Sequence, residues 1–133
     1  MSQPETDARV RCWSRFLDAW CEQNPERFKA LWEQGRFDRN DAEVVAEAPQ
    51  PSSPHSFDAA LRAYRNESMA IIAWRDLAGV DELETTLSAL STLADRCIEA
   101  ALDAAEQAMQ ERHGVLRDAK GNAQRLIVIG MGK

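Results

Sequence analysis

The chain has 133 residues, of which 44% are hydrophobic and 29% charged, with a formal net charge of -6. This composition supports a folded core rather than disorder, and the negative charge argues against nucleic-acid binding. No apolar run approaches the roughly 20 residues of a membrane span, no secretory signal opens the chain, and three scattered cysteines fit reduced thiols in a cytoplasmic protein.

The first 35 residues predict a pair of helices. Apolar residues at helical spacing predict one amphipathic helix over residues 7–22. Asn24-Pro25-Glu26 then predicts the start of a second helix, because Asn caps helices and Pro suits the first helical position. Gly35 is placed to end this helix. All four tryptophans are expected to be core residues: Trp13, Trp20, Trp32 and Trp74.

Residues 36–56 predict a surface linker. The segment is acidic and then rich in proline and serine, with a short helical turn expected at Val44-Val45. The chain therefore divides into a helical pair at 1–35, this linker, and residues 57–133. We treat the whole as one truncated domain, because neither flank is large enough to bury a core alone.

Residues 57–113 predict a helical hairpin. Ser56 can cap a helix over 57–78, and Asp81 with Glu84 resembles a capping box for a helix that runs to about His113. The predicted buried face of the second helix is apolar: Leu83, Leu87, Leu90, Ala94, Cys97, Ile98, Ala101, Leu102, Ala105 and Met109. The alanines on this face permit close approach of a neighbouring helix.

An apolar run near the end of the sequence predicts a strand. Turn-forming residues at 118–122 precede Leu126-Ile127-Val128-Ile129, which has the pattern of a strand buried on both faces. No convincing second strand accompanies it, so its partners are expected beyond the given sequence. The predicted fold is mainly α, with four or five helices leading into the first strand of an incomplete α+β sheet.

Gly130-x-Gly132-Lys133 follows the predicted strand directly. Glycines let a backbone approach phosphate, and Lys133 adds a positive charge. A Walker P-loop is excluded because Ile127 stands where its first glycine is required. Three alternatives remain. The first is a dinucleotide fingerprint, which would need a third glycine. The others are a nucleotidyltransferase turn ahead of paired metal-binding carboxylates and a plain tight turn.

Two arginines form a second candidate site. Arg62 and Arg65 lie three residues apart, so they can present one cationic patch to a phosphate or an acidic partner. The alternative is that both make surface salt bridges on a helix. The sequence indicates no catalytic residue and no metal ligand.

Several segments together resemble the glutamine synthetase adenylyltransferase/adenylyl-removing enzyme family. The resemblance is strong at residues 61–79 and at 112–133, which include Arg112-His113-Gly114 and Arg125-Leu126-Ile127-Val128-Ile129-Gly130-Met131-Gly132-Lys133. Weaker similarity extends it to about residues 14–133. Ile71 departs from the pattern, since a basic residue is expected there, and this puts any charge role of that helix face in doubt.

The resemblance implies a large two-headed cytoplasmic enzyme of nitrogen regulation, with this chain as its N-terminal part. One unit removes AMP from a tyrosine of glutamine synthetase by phosphorolysis, yielding ADP, and the other adds AMP from ATP. It further implies Mg²⁺ on an Asp-x-Asp pair, nucleotide phosphates at Gly130, Gly132 and Lys133, and control by a PII-class signalling protein. In the family the Asp-x-Asp pair follows the glycine turn, and it is absent from these 133 residues. This chain is therefore expected to be inactive alone and to bind no cofactor tightly.

Two other functions stay open. The apolar helix faces and tryptophans fit a non-catalytic helical interaction module. The glycine turn also fits a small free-standing nucleotide-binding domain.

Overall fold

A computed structural model describes residues 3–38, 44–50 and 54–130. The helices in these ranges are α1 (Gln3–Cys12), α2 (Arg15–Gln23), α3 (Pro25–Glu33), α4 (Pro54–Leu77) and α5 (Leu83–His113). The prediction of a mainly helical protein with four or five helices is confirmed. None of the helices in the described ranges is long and apolar enough to cross a membrane.

The single helix predicted over residues 7–22 is wrong, because the chain breaks between α1 and α2. Ser14 adopts extended backbone at φ -138° and caps α2, its side chain accepting the Leu17 N–H at 3.2 Å. The break interrupts the helical periodicity that would have buried the aromatic residues beside it. Trp13 is therefore 56% exposed and Phe16 42% exposed, which contradicts the core position predicted for Trp13.

The turn between α2 and α3 matches the predicted boundary but not the predicted cap. Pro25 occupies the start of α3 and Gly35 follows its end at φ +71°, as expected. The Asn24 side chain makes no cap on α3. Its Nδ2 instead donates to the Trp20 carbonyl at 2.9 Å, which closes the end of α2.

Both predicted caps of the helical hairpin are also wrong. α4 begins at Pro54, so Ser56 lies inside the helix rather than before it. The residue preceding α5 is Glu82, and its side chain makes no capping hydrogen bond. Asp81 is used differently, because its carboxylate pairs with Arg75 of α4.

The core lies where α2, α3 and the loop after α3 pack against α4 and the first half of α5. An aromatic cluster forms its centre, with ring centroids 4.9–6.0 Å apart. Its members are Phe28, Trp32, Phe37 and Trp74. Phe37 is 4% exposed although it falls in the predicted surface linker.

Part of that linker is packed against the helices. Val44 and Val45 are buried, which contradicts their predicted surface position, and they form no helical turn. Three successive carbonyls accept side-chain donors: Val44 from Arg36 at 3.1 Å, Val45 from Arg96, and Ala46 from the Tyr64 hydroxyl at 2.7 Å. Hydrogen bonds thus hold residues 44–46 against the core.

The buried face of α5 matches the predicted one only in part, since Leu90 and Cys97 pack against the core as predicted. α5 contacts α4 through Thr86, Ala89, Leu93 and Ala100, all of which are buried. The predicted face leaves Leu83, Leu87, Ile98 and Met109 exposed. The apolar surface of α5 is wider than the contact that α4 makes with it, so periodicity alone could not separate its buried part from its exposed part.

The predicted buried strand is not seen in the described part of the chain. Residues 124–130 belong to no helix or strand, and the β-pairing in the described ranges is one isolated antiparallel bridge between Arg117 and Ala123. Leu126, Ile127, Val128 and Ile129 are 62%, 86%, 53% and 82% exposed. Four adjacent apolar residues therefore face solvent.

Candidate functional site: the glycine segment and its anchor on α5

A tight turn reverses the chain after α5. The Asp118 carboxylate accepts the backbone N–H groups of Lys120 at 2.8 Å and Asn122 at 2.9 Å, and the Asn122 side chain at 3.0 Å. Gly121 lies at φ +86°, a conformation that favours glycine. The hydrogen bonds from Asn122, together with the backbone donors, lower the pKa of Asp118. The turn predicted over 118–122 is thereby confirmed.

Beyond the turn, an ion-paired arginine ties the chain back to α5. Arg125 donates from Nε to Glu106 at 2.8 Å and from Nη2 to Asp103 at 2.5 Å. The second oxygen of Glu106 accepts the Leu126 backbone N–H at 3.0 Å. The hydrogen bonds that Arg125 donates to Glu106 and Asp103 raise its pKa. The start of the apolar segment thus has a fixed position and direction relative to α5.

The glycine segment follows this anchor. Gly130 has open space around it, since a Cβ added there would meet no heavy atom within 4 Å. Gly132 and Lys133 lie outside the described residues. Gly130 is therefore the one predicted phosphate-binding residue that the structure positions.

The second candidate site is separate from this segment. Arg62 and Arg65 are both exposed on α4, and Arg65 donates to Asn66 at 3.4 Å. Burial raises the pKa of the Cys97 thiol, and the charge of Arg65 partly opposes that rise. In the described ranges, no hydrogen bond or ion pair joins either arginine to residues 126–130.

A groove lies between the end of α5 and the chain that folds back along it. Its volume is about 410 Å³, and its apolar lining residues are Ala105, Met109, Val115, Leu116 and Leu126. This lining suits an apolar side chain better than a phosphate. Among the described residues, no group of three or more His, Cys, Asp or Glu side chains could hold a metal ion.

The anchor on α5 is the feature that sequence reasoning missed. Asp103 and Glu106 lie three residues apart, so they share a helix face, and this spacing was the available signal. Their partner Arg125 is 19 residues or more away across a turn. No local pattern could specify that pairing.

Comparison with known proteins assigns the chain to a family. A family model described as glutamate-ammonia ligase adenylyltransferase matches residues 6–133. A bifunctional glutamine synthetase adenylyltransferase/adenylyl-removing enzyme from Thioalkalivibrio sulfidiphilus is 36% identical over 98% of this chain and 14% of its own length. The enzyme of that name from Stenotrophomonas maltophilia is 40% identical over 68% of the chain and 10% of its own length. No solved structure matches the chain.

These findings define a helical segment of a nucleotidyltransferase class protein. The chain belongs to the glutamate-ammonia ligase adenylyltransferase family. It spans 14% of the Thioalkalivibrio relative and 10% of the Stenotrophomonas relative.

Proposed function

We propose that this chain forms the approach to the nucleotide site of an adenylyl-removing unit in a longer, two-headed enzyme. The observation that carries the proposal is the anchor of Arg125 and Leu126 on α5. This anchor fixes the direction of the apolar segment that leads to Gly130. Its hydrogen bonds are 2.5–3.0 Å long and join residues 125–126 to α5, although the two are distant in sequence. The family match over residues 6–133 supports the same placement.

In this account Leu126–Ile129 becomes a strand once the remainder of the sheet is present. Its exposed backbone and apolar side chains require partners, because unpaired backbone groups are costly when buried. Gly130 and Gly132 bring backbone N–H groups close to nucleotide phosphates, and Lys133 adds a positive charge. Mg²⁺, held by carboxylates outside this chain, supplies charge neutralisation at the phosphates when bound.

The reaction proposed for the intact enzyme is phosphorolysis. Phosphate attacks the phosphorus of the AMP–tyrosine ester on glutamine synthetase, the bond to the tyrosine oxygen breaks, and ADP and free tyrosine result. A second unit adds AMP from ATP, and a PII-class protein selects the direction. Arg62 and Arg65 are proposed to contact a phosphate or an acidic partner surface. The 133-residue chain alone is expected to produce no ADP.

A glycine substitution tests this role in the full-length Thioalkalivibrio sulfidiphilus relative. At the position aligned with Gly130, Ala leaves the local fold intact, because the added Cβ meets nothing within 4 Å. In the nucleotide site the same methyl group blocks backbone approach to phosphate, so ADP formation from adenylylated glutamine synthetase falls about 100-fold. AMP addition by the other unit is the internal control and stays unchanged. Unchanged ADP formation would contradict the proposal.

The nucleotide-binding alternative is tested on the 133-residue chain itself. Titration with ATP, followed by tryptophan fluorescence, should give a flat response if the site needs the rest of the enzyme. Saturable binding that is lost in a Gly130→Ala variant would instead favour a free-standing nucleotide-binding domain.

A further inference from the structure

α5 carries a long apolar face that α4 does not cover. At about 100° per residue, its defining residues fall within an arc of about 80°: Leu83, Leu87, Ala94, Ile98, Ala101 and Met109. No charged residue between 83 and 109 falls in this arc, which extends about 39 Å along the helix. We call this surface the α5 apolar face.

The α5 apolar face is open to solvent. Leu83, Leu87 and Met109 are 65%, 54% and 56% exposed. Ala94 and Ala101, which lie on the same face, are exposed as well. Among the described helices α5 packs on α4 alone. Such an extended exposed apolar surface exceeds the scattered apolar residues of an ordinary protein surface and indicates a covered interface.

Charges at the border of this face indicate the partner. The exposed charged residues that border it are acidic: Glu84, Asp95 and Glu99. Glu106 lies on the same side of the helix but is already paired with Arg125. Arg96, which is the one basic residue between 83 and 111, points to the other side and binds Val45 and Glu47. A second copy of this chain would bring two acidic borders together, whereas a helix bordered by Lys or Arg would be attracted.

The area of the face indicates that the partner is covalently linked. A helix on a strip about 39 Å by 10 Å buries about 800 Å² in total, less than the 1,200–2,000 Å² of stable free complexes. Within one polypeptide the loss of translational freedom is avoided, so this area suffices. The relatives provide that polypeptide, because this chain matches only 10–14% of their length.

We propose that the α5 apolar face packs against an amphipathic helix with basic borders, supplied by the part of the full-length polypeptide outside these 133 residues. The large residues Leu83, Leu87 and Ile98 contact its apolar side, and Ala94 and Ala101 let the two helix axes approach closely. This packing would fix α5, and with it the Arg125 anchor, in the intact protein. The proposal rests on the family match and not on nucleotide binding.

Cysteine labelling tests directly whether a helix packs on the α5 apolar face in the full-length protein. Ala94→Cys on the face and Ser88→Cys on the charged side are made in the 133-residue chain and at the aligned positions of the full-length Thioalkalivibrio relative. Maleimide modification of each site is followed by peptide mass spectrometry. We expect both cysteines to react rapidly in the 133-residue chain. In the full-length protein the cysteine at the Ala94 position should react at least about tenfold more slowly, and the cysteine at the Ser88 position should still react rapidly.

Equal rates at the Ala94 position in the two proteins would overturn the proposal, and so would equal slowing at both positions. Slow labelling of the short chain, together with a dimer in sedimentation, would assign the face to a second copy instead. Carbodiimide cross-linking of the full-length protein tests the borders. Links from the positions of Glu84, Asp95 or Glu99 to lysines outside the aligned segment are expected, and links confined to that segment would contradict the basic border.

Discussion

Arg75 and Asp81 form a bidentate ion pair in the interior, with N–O distances of 2.7 and 2.6 Å. Their side chains are only 2% and 5% exposed. Nη1 of Arg75 also donates to the carbonyls of Arg36 at 3.3 Å and Asp38 at 2.5 Å. One guanidinium thus joins the end of α4, the turn before α5 and the loop after α3.

Replacing this arginine should destabilise the protein strongly. Arg75→Ala leaves Asp81 buried without a partner and removes the donor of two carbonyls, so the free energy of unfolding should fall by about 3–5 kcal/mol. Urea denaturation measures the change. Arg27→Ala is the matched control, since Arg27 pairs with Glu67 on the surface, and it should cost less than about 1 kcal/mol. Equal losses in the two variants would contradict the interior role of Arg75.

The aromatic cluster gives a second prediction. Phe37 contacts Phe28, Trp32 and Trp74 with centroid distances of 5.1–5.4 Å to the first two and 4.9 Å to Trp74. Phe37→Ala opens a cavity among these rings, and the free energy of unfolding should fall by about 3–5 kcal/mol.

Trp13→Ala is the control for Phe37→Ala, because Trp13 lies outside the aromatic cluster. Trp13 is 56% exposed, with the Arg9 guanidinium 5.3 Å from its ring centroid. Its replacement should lower the free energy of unfolding by less than the Phe37 replacement does, because more than half of the Trp13 side chain is already in solvent. A larger loss for Trp13→Ala than for Phe37→Ala, measured by urea denaturation, would show that the core lies elsewhere.

The contrast between Phe37 and Trp13 shows how far the sequence could predict this fold. Helical periodicity and glycine positions identified α3, α4 and α5, because these depend on local backbone preference. The same periodicity placed Trp13 in the core, because it could not detect that Ser14 would cap a new helix. Phe37 was missed for the opposite reason: its burial depends on rings contributed by α3 and α4, and not on its own neighbours.

The candidate site shows the same limit. The turn around Asp118 was predicted because Asp-to-backbone hydrogen bonds act within a few residues, whereas the role of Gly130 stays a prediction. The anchor of Arg125 on α5 was not predicted, because its charges meet only after the chain reverses. The burial of Leu126–Ile129 was predicted from composition, yet these residues are exposed in the described chain.

The anchor should control local order more than global stability. Glu106→Ala removes the acceptor of the Arg125 Nε–H and of the Leu126 backbone N–H. Arg125 is 63% exposed, so the free energy of unfolding should change little. Hydrogen exchange at the Leu126 amide should nevertheless accelerate at least about tenfold. Glu111→Ala is the control near the end of the same helix, and an equal acceleration there would contradict a specific anchor.

The turn after α5 should loosen in acid. Hydrogen bonds lower the pKa of Asp118 in the folded protein, so the stabilisation is present above the unfolded pKa and is lost as pH falls through the folded value. NMR titration should give a pKa below the ordinary aspartate range. The protection factors of the Lys120 and Asn122 amides, which correct for the intrinsic pH dependence of exchange, should fall in the same acidic interval.

Asp118→Ala is the control for this titration. It should remove the acid-dependent change in the protection factors of the Lys120 and Asn122 amides and leave these amides weakly protected at every pH. A carboxyl that titrates at or above its ordinary pKa would contradict the hydrogen bonding described for the turn.

The central claim is that this chain supplies the approach to a nucleotide site within a longer enzyme. The most direct measurement places residues 1–133 in the full-length Thioalkalivibrio relative, in exchange for the segment that aligns with them, and follows ADP formation from adenylylated glutamine synthetase. We expect the exchanged enzyme to form ADP, Gly130→Ala in it to lower this activity about 100-fold, and AMP addition to continue. Equal ADP formation with and without that substitution would contradict the account.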